Sequence, residues 1–414
     1  MEPVSLILVL TGIFGFYMAW NIGANDVANA MGTSVGSRAL TYKRAILVAA
    51  VFEFAGAFFV GSHVTATIQG KIIDVEFFTD NTLDLMIGMM SSLLAAGIWL
   101  QFATWRGWPN STTHSILGAI MGFGIASGGI GLIKWDTIWK IIASWIISPI
   151  VGGIIAWLVF LVILRGIIRR KDPRKALIQI VPMLLFLMFF VITLSMFFKG
   201  LKNLNLEFSN FQIIAISFGI GLIVAIAGRI LIPRVVEKGA IGHSRRHVER
   251  IFSTLQIMTA CYMAFAHGAN DVANAIGPLA AVVNVASGSI ETLTNTVPPW
   301  TLMLGGAGIV IGLATWGYKV MKTVGMSITM ISPTRGFAAE FGAATTVLIC
   351  SKMGLPVSTT HCLVGAVIGI GLSRGINSVN MKVVKEVAVS WLTTVPVSGV
   401  VCALLYYLFK WMLT

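Results

Sequence analysis

Stretches of eighteen or more apolar residues recur from residue 4 to residue 409 of this 414-residue chain. Each is long enough to cross a bilayer core of about 30 Å. Only 11% of the residues are charged and 57% are hydrophobic, with a mean hydropathy of +0.88. A soluble protein of this length needs far more charge to cover its surface. The chain is therefore read as an all-α polytopic membrane protein.

Twelve segments can be counted, at about 4–22, 45–62, 83–104, 112–133, 138–164, 177–198, 211–232, 251–267, 300–318, 327–351, 357–373 and 386–409. No stretch between them is long enough for a soluble domain. The net charge of +13 forms no soluble patch of the kind that binds nucleic acid. Its basic residues gather in alternate connections: Arg38, Lys43 and Arg44; Arg165, Arg169, Arg170, Lys171, Arg174 and Lys175; Arg234, Lys238, Arg245, Arg246 and Arg250; Lys319 and Lys322; Arg374, Lys382 and Lys385. The opposite connections are poor in Lys and Arg, one carrying Asp74, Glu76, Asp80 and Asp84 and another only Glu291. By the positive-inside rule the basic set is cytoplasmic, which predicts a multi-pass protein of the cell membrane with both termini outside. Residues 4–22 lack a basic leader, which argues against a cleaved signal peptide. Cys261, Cys350, Cys362 and Cys402 show no metal-ligand spacing and read as small packing residues.

Internal duplication sets the organisation. GANDVANA occurs at 23–30 and again, letter for letter, at 268–275, while PNSTTHSILGAIMGFGI at 109–125 matches PVSTTHCLVGAVIGIGL at 356–372. The offsets are 245 and 247 residues, so one duplication explains both. The predicted units are an N-terminal repeat over 1–164, a central helix pair with basic loops over 165–250, and a C-terminal repeat over 251–414. Five segments per repeat is an odd number, and the two repeats start on opposite sides. The expected architecture is two inverted five-segment repeats with broken helices or re-entrant hairpins, as in many secondary transporters.

In GANDVANA, Asn25 and Asn29 lie one helical turn apart with Asp26 beside them, and Asn270, Asn274 and Asp271 repeat the arrangement. Buried amides and carboxylates require partners. Their oxygens are hard ligands suited to an alkali cation; the competing reading is hydrogen bonding between helices. Gly23 and Gly268 would permit a helix break there. In the second motif, Pro109 and Pro356 suit a helix start. Ser111, Thr112 and Thr113, with Ser358, Thr359 and Thr360, can cap that start or donate hydroxyls. A helix N-terminus inside a membrane favours an anion, and two such tips facing each other would surround a tetrahedral oxyanion. His114 and His361 close the motifs, as proton relays or as partners of backbone carbonyls. Glu53 and Glu340 are intramembrane carboxylates and functional candidates on that ground. The 247-residue offset carries Glu340 to Leu93 and Glu53 to Trp300, so the halves have diverged at these positions. Arg335 precedes Glu340 and either pairs with it or anchors a loop.

These residues resemble the inorganic phosphate transporter (PiT) family, through GANDVANA in both halves, the paired P-x-S-T-T-H blocks, FEFAGA around Glu53 and PTRGFAAEFGAA around Glu340. The resemblance spans nearly the whole chain. It implies symport of phosphate with sodium, or in some members with protons, at a site on the repeat interface, with Glu53 and Glu340 near the transport path. Many eukaryotic members carry a large central insert, which is missing here. Some relatives carry sulfate, so a proton-coupled phosphate or sulfate transporter of the same fold is the alternative. An anion channel is a third class, and an enzyme has no nucleotide loop or metal cluster to support it. Phosphate would be repelled by Asp26 and Asp271 unless sodium lay between them, so sodium is the expected coupling ion, with no organic cofactor. The expected partners are phosphate, sodium and the lipid bilayer; a homodimer is expected only from the habit of membrane transporters.

Overall fold

Helix is the only regular structure among the described residues apart from one isolated bridge between Ile73 and Ile133. The structure, a computed structural model, describes residues 3–199, 208–238, 245–288, 297–318, 320–321, 330–373, 375 and 378–414. Glu291, Lys319, Lys322 and Arg374 of the loop-charge argument lie outside the described residues.

The first half runs α1 (Pro3–Gly36), α2 (Tyr42–Val60), α3 (Ser62–Gly70), α4 (Thr82–Arg106), α5 (Thr112–Gly128) and α6 (Trp135–Ile163). Then come α7 (Pro173–Lys199) and α8 (Asn210–Lys238), which pack on each other at one side of the bundle. The second half runs α9 (Arg245–Ala286), α10 (Pro299–Trp316), α11 (Pro333–Lys352), α12 (Thr359–Leu372) and α13 (Met381–Leu413).

Surface and interior are exchanged relative to a soluble protein. Phe211, Leu392 and Trp411 stand 80%, 77% and 81% exposed, whereas all eight residues of each GANDVANA copy are buried. Exposed apolar side chains over the whole surface suit lipid as solvent.

The helices depart from the twelve predicted spans in an instructive way. Among the described residues seven helices are long and apolar enough to cross a membrane, and α2 with α3 makes an eighth if that pair, bent by 64°, is one span. The predicted spans 112–133 and 357–373 are the 17-residue α5 and the 14-residue α12. At 1.5 Å per residue these reach about 25 and 21 Å, short of the core thickness. Each is the second arm of a helical hairpin, α4 with α5 and α11 with α12. The predicted span 251–267 lies inside the 42-residue α9. The helix break expected at Gly23 and Gly268 is not there, since α1 and α9 run through both glycines.

Those glycines serve close approach instead. A Cβ on Gly23 would lie 1.9 Å from Ile309 O, and one on Gly268 would lie 2.0 Å from Glu53 O. The facing helices reciprocate: Gly312 would strike Trp20 O at 1.9 Å and Gly56 would strike Phe265 O at 2.0 Å. Thus α1 crosses α10, and α2 crosses α9, backbone against backbone. The same device joins α5 to α13 at Gly122 and Gly399, and α6 to α12 at Gly153 and Gly369.

Gly12 on the same helix α1 has open space around its would-be Cβ, which supplies an internal control. Gly23→Ala and Gly268→Ala are each expected to cost about 1–3 kcal/mol by overpacking, whereas Gly12→Ala should be neutral or stabilising by up to about 1 kcal/mol. Unfolding of the purified protein in detergent measures all three, and equal midpoints would contradict the packing argument.

Candidate functional site

Each motif of one half meets the other motif of the opposite half. The polypeptide turns at 107–111 and again at 353–358, and the two hairpin tips touch. Gly107 ends α4 in the left-handed region (φ 70°), a glycine-terminated helix end. Ser111 caps α5 by accepting from His114 N, and Ser358 caps α12 by accepting from His361 N, both at 3.2 Å. Thr113 Oγ1 then donates to Val357 O, and Thr360 Oγ1 to Asn110 O, each at 3.0 Å. The tips are thereby sewn together hydroxyl to carbonyl.

The GANDVANA helices supply the remaining groups. Asn29 Nδ2 donates to Thr360 Oγ1 at 2.8 Å and to Asp26 Oδ1 at 3.0 Å. Asn274 Nδ2 donates to Thr112 Oγ1 at 3.1 Å, Thr113 Oγ1 at 3.2 Å and Asp271 Oδ1 at 3.2 Å. Thr359 Oγ1 donates to Asp271 Oδ2 at 2.7 Å. Asn25 and Asn270 spend their amides on the tips: Asn25 Nδ2 donates to Thr104 Oγ1 and Trp108 O, its Oδ1 accepts from Asn110 N, and Asn270 Nδ2 donates to Val357 O. Of the six candidate cation ligands, Asp26 and Asp271 face one shared centre; the four asparagines brace it.

That centre holds a residue which the sequence reading passed over. His267 Nε2 lies 3.0 Å from Asp271 Oδ2 and 3.9 Å from Asp26 Oδ2, and its Nδ1 lies 3.3 Å from Glu53 Oε1. Ligand atoms of Asp26, His267 and Asp271 all fall within 4.8 Å of one another. One imidazole, with or without a second proton, cannot balance three carboxylates. Asp26 Oδ2 and both oxygens of Glu53 accept no hydrogen bond among the described residues. Buried without a hydrogen bond, such oxygens are costly unless a cation or a proton reaches them. His267 directly precedes the second GANDVANA, where Ile22 stands before the first. That single difference between otherwise identical blocks was the available signal.

Glu340 is elsewhere. Its Oε1 accepts from Thr33 Oγ1 at 2.5 Å, Ser34 Oγ at 2.6 Å and Gln256 Nε2 at 3.2 Å, and its Oε2 accepts from Thr259 Oγ1 at 2.6 Å. Both carboxylate oxygens are satisfied by α1 and α9, the helices that carry the two GANDVANA motifs. Arg335 Nη1 donates to Met330 O at 2.8 Å, the loop-anchoring alternative. His114 Nδ1 sits 3.4 Å from Trp391 O and His361 Nδ1 3.3 Å from Trp145 O, so both rings address backbone carbonyls.

A comparison with known sequences decides the family. The phosphate transporter family matches residues 22–402. The chain belongs to that family. Members are transporters, not enzymes. A chain of Pyrococcus horikoshii is 47% identical over 408 residues, covering 98% of both. The inorganic phosphate transporter 2-1, chloroplastic, of Arabidopsis thaliana is 42% identical over 439 residues, covering 98% of this chain and 72% of that one. A solved structure titled the sodium-dependent phosphate transporter superposes with a TM-score of 0.90 at 41% identity, over 98% of this chain and 100% of that one.

Removing the imidazole from the carboxylate cluster tests the geometry without any transport assay. His267→Ile, which copies the first repeat, is expected to lower the stability of the ion-free protein by about 3–5 kcal/mol, the usual effect of stripping a partner from a buried charge. Asp26→Asn in the same chain should recover part of the loss, with a coupling of about 1–3 kcal/mol in a double-mutant cycle. Additive effects in detergent unfolding would contradict the contact.

Proposed function

We propose that this transporter is a secondary active importer of inorganic phosphate coupled to sodium by alternating access. The observation that carries the proposal is the meeting of Asp26 and Asp271, one from each repeat, between hairpin tips that are themselves helix N-termini. The tips offer an anion the Thr112 hydroxyl with the first-turn amides; Ser111, Thr113, Ser358 and Thr360 hold the tips in shape, and Thr359 is held by Asp271. The carboxylates offer cations the unpaired oxygens of Asp26 and Glu53. Phosphate and carboxylates repel each other in a low-dielectric interior. Sodium between them removes the conflict, so the anion binds well only when sodium is present, and coupling follows from electrostatics alone.

The transport geometry follows from counting crossings. With the hairpins α4–α5 and α11–α12 re-entrant, the first half crosses the membrane by α1, α2–α3 and α6. The pair α7 and α8 adds two crossings, so the second half enters after five and is inverted. The units 1–164, 165–250 and 251–414 are then a repeat, a central pair and a second repeat, and both termini lie outside the cell membrane. Lys134 pairs with Asp74 at 3.3 Å, joining the two connections that flank the first hairpin on one side. Lys410, near the C-terminus, pairs with Asp84 at the start of α4 at 2.7 Å, which supports that same side for it. Rocking one unit against the other around a fixed centre is the motion such symmetry supplies. Glu340, tied to both GANDVANA helices, is assigned to the cytoplasmic stretch of the path.

His267 favours a second reading, in which a proton on the imidazole replaces one coupling cation. The discriminating experiment is uptake of radiolabelled phosphate into proteoliposomes under an inward sodium gradient, with potassium and proton gradients as controls and excess sulfate as competitor. Accumulation above equilibrium only with sodium, untouched by sulfate, is expected. Asp26→Asn and Asp271→Asn should each lower it by at least about tenfold, the effect of losing about 1.4 kcal/mol of coupling. Sodium dependence left intact in both variants would refute the mechanism; proton-driven uptake would establish the second reading.

A further inference from the structure

Below the tip of the first hairpin, on the outer face of the bundle, a groove of about 850 Å³ opens between α4 and α13. Its volume falls in the range of about 300–1,000 Å³ that holds organic ligands. One wall is aromatic, with Trp99, Phe102 and Trp108; Trp99 is fixed by its Nε1 donating to Thr394 Oγ1 at 3.1 Å. The other wall is the first four turns of α13, apolar at Val389 and basic at Lys382 and Lys385. Both lysines are exposed, and neither pairs with a carboxylate among the described residues. Glu386 lies on the same wall, so two positive charges stand against one negative. Arg106 adds a third positive charge at the aromatic wall, its guanidinium 5.3 Å from the Phe102 ring centre and 5.8 Å from that of Trp108. One end of the groove is therefore a cationic mouth, and the rest is apolar and aromatic.

We propose that this groove binds a single phospholipid with an anionic headgroup, its phosphate between Lys382 and Lys385 and its acyl chains along Trp99, Phe102 and Val389. Charge complementarity commits the occupant. A free phosphate ion would leave the aromatic wall unused, and a zwitterionic lipid would bring no net charge to a net-positive mouth. Glu386 accepts from the hydroxyls of a phosphatidylglycerol headgroup. The site is distinct from the transport centre but shares a wall with its support: Ser390, which also lines the groove, donates to Asn110 Oδ1 at 3.3 Å, and Thr394 donates to the same oxygen at 2.6 Å. A lipid seated here presses on the side chains that hold the first hairpin tip in place.

The test is lipid retention by the purified full-length protein, read by native mass spectrometry in detergent. Phosphatidylglycerol, phosphatidylethanolamine and phosphatidylcholine with matched acyl chains are the probes. One phosphatidylglycerol per chain is expected, held in preference to the other two. Lys382→Gln with Lys385→Gln should weaken it about 25-fold, about 5-fold for each basic residue. The matched pair Lys140→Gln with Lys171→Gln, remote from the groove, should leave it unchanged. Val389→Trp, which fills the groove and spares the charges, should also release the lipid. Equal retention of all three lipids, equal loss in the remote pair, or displacement of phosphatidylglycerol by millimolar inorganic phosphate would each overturn the proposal.

Discussion

Burying Asp26, Asp271 and Glu53 around His267 is the constraint to which the rest of the molecule answers. An ionised carboxylate loses several kcal/mol of hydration on entering a low-dielectric interior, and this centre holds three with a single imidazole between them. Amides and hydroxyls from both motifs contribute to holding them. Asn29 and Asn274 each donate to the aspartate three residues earlier in the same helix and also to threonines across the interface. Thr359 donates directly to Asp271. Asp26 Oδ2 and both Glu53 oxygens nevertheless accept no hydrogen bond among the described residues. Three carboxylates against one imidazole leave that middle short of positive charge.

Such a centre needs helices that approach more closely than ordinary side chains permit. Gly23 and Gly268 sit at the head of each GANDVANA copy and bring backbone against backbone, with Gly312 and Gly56 facing them. This contact delivers Glu53 to His267, because Glu53 O is the atom that a Cβ at Gly268 would strike. The glycine and the carboxylate of the site are thus two consequences of one helix crossing.

Much of this arrangement was legible in the sequence, for identifiable reasons. A duplicated octapeptide and a duplicated helix start are improbable without a shared role, and the structure joins them across the halves: Asn29 to Thr360, Asn274 to Thr112. The segment count was not legible. Hydropathy registers apolar length in sequence, and a hairpin arm that starts at a buried tip shows the same apolar run as a span; α5 and α12 are such arms. A helix break at Gly23 and Gly268 was also a wrong expectation, because glycine serves both a bend and a close approach, and only the neighbouring helix tells which. His267 escaped because it lies one residue outside the repeated block. The cradle of Glu340 escaped because Thr33, Ser34, Gln256 and Thr259 are ordinary polar residues that become a set only when α1 and α9 converge.

The two halves are alike in their motifs and unlike in what surrounds them, and the difference has a direction. Asp271 has an imidazole at 3.0 Å and a threonine hydroxyl at 2.7 Å. Asp26 has the same imidazole at 3.9 Å and a hydroxyl at 3.4 Å. The carboxylate of the second half is therefore already largely matched by protein groups, while that of the first half keeps Oδ2 without a hydrogen bond among the described residues. Ile22 in place of a second histidine preserves that inequality. Had both repeats carried histidine, two imidazoles would compete with the incoming cation. With only one, the centre keeps its less matched carboxylate on the α1 side.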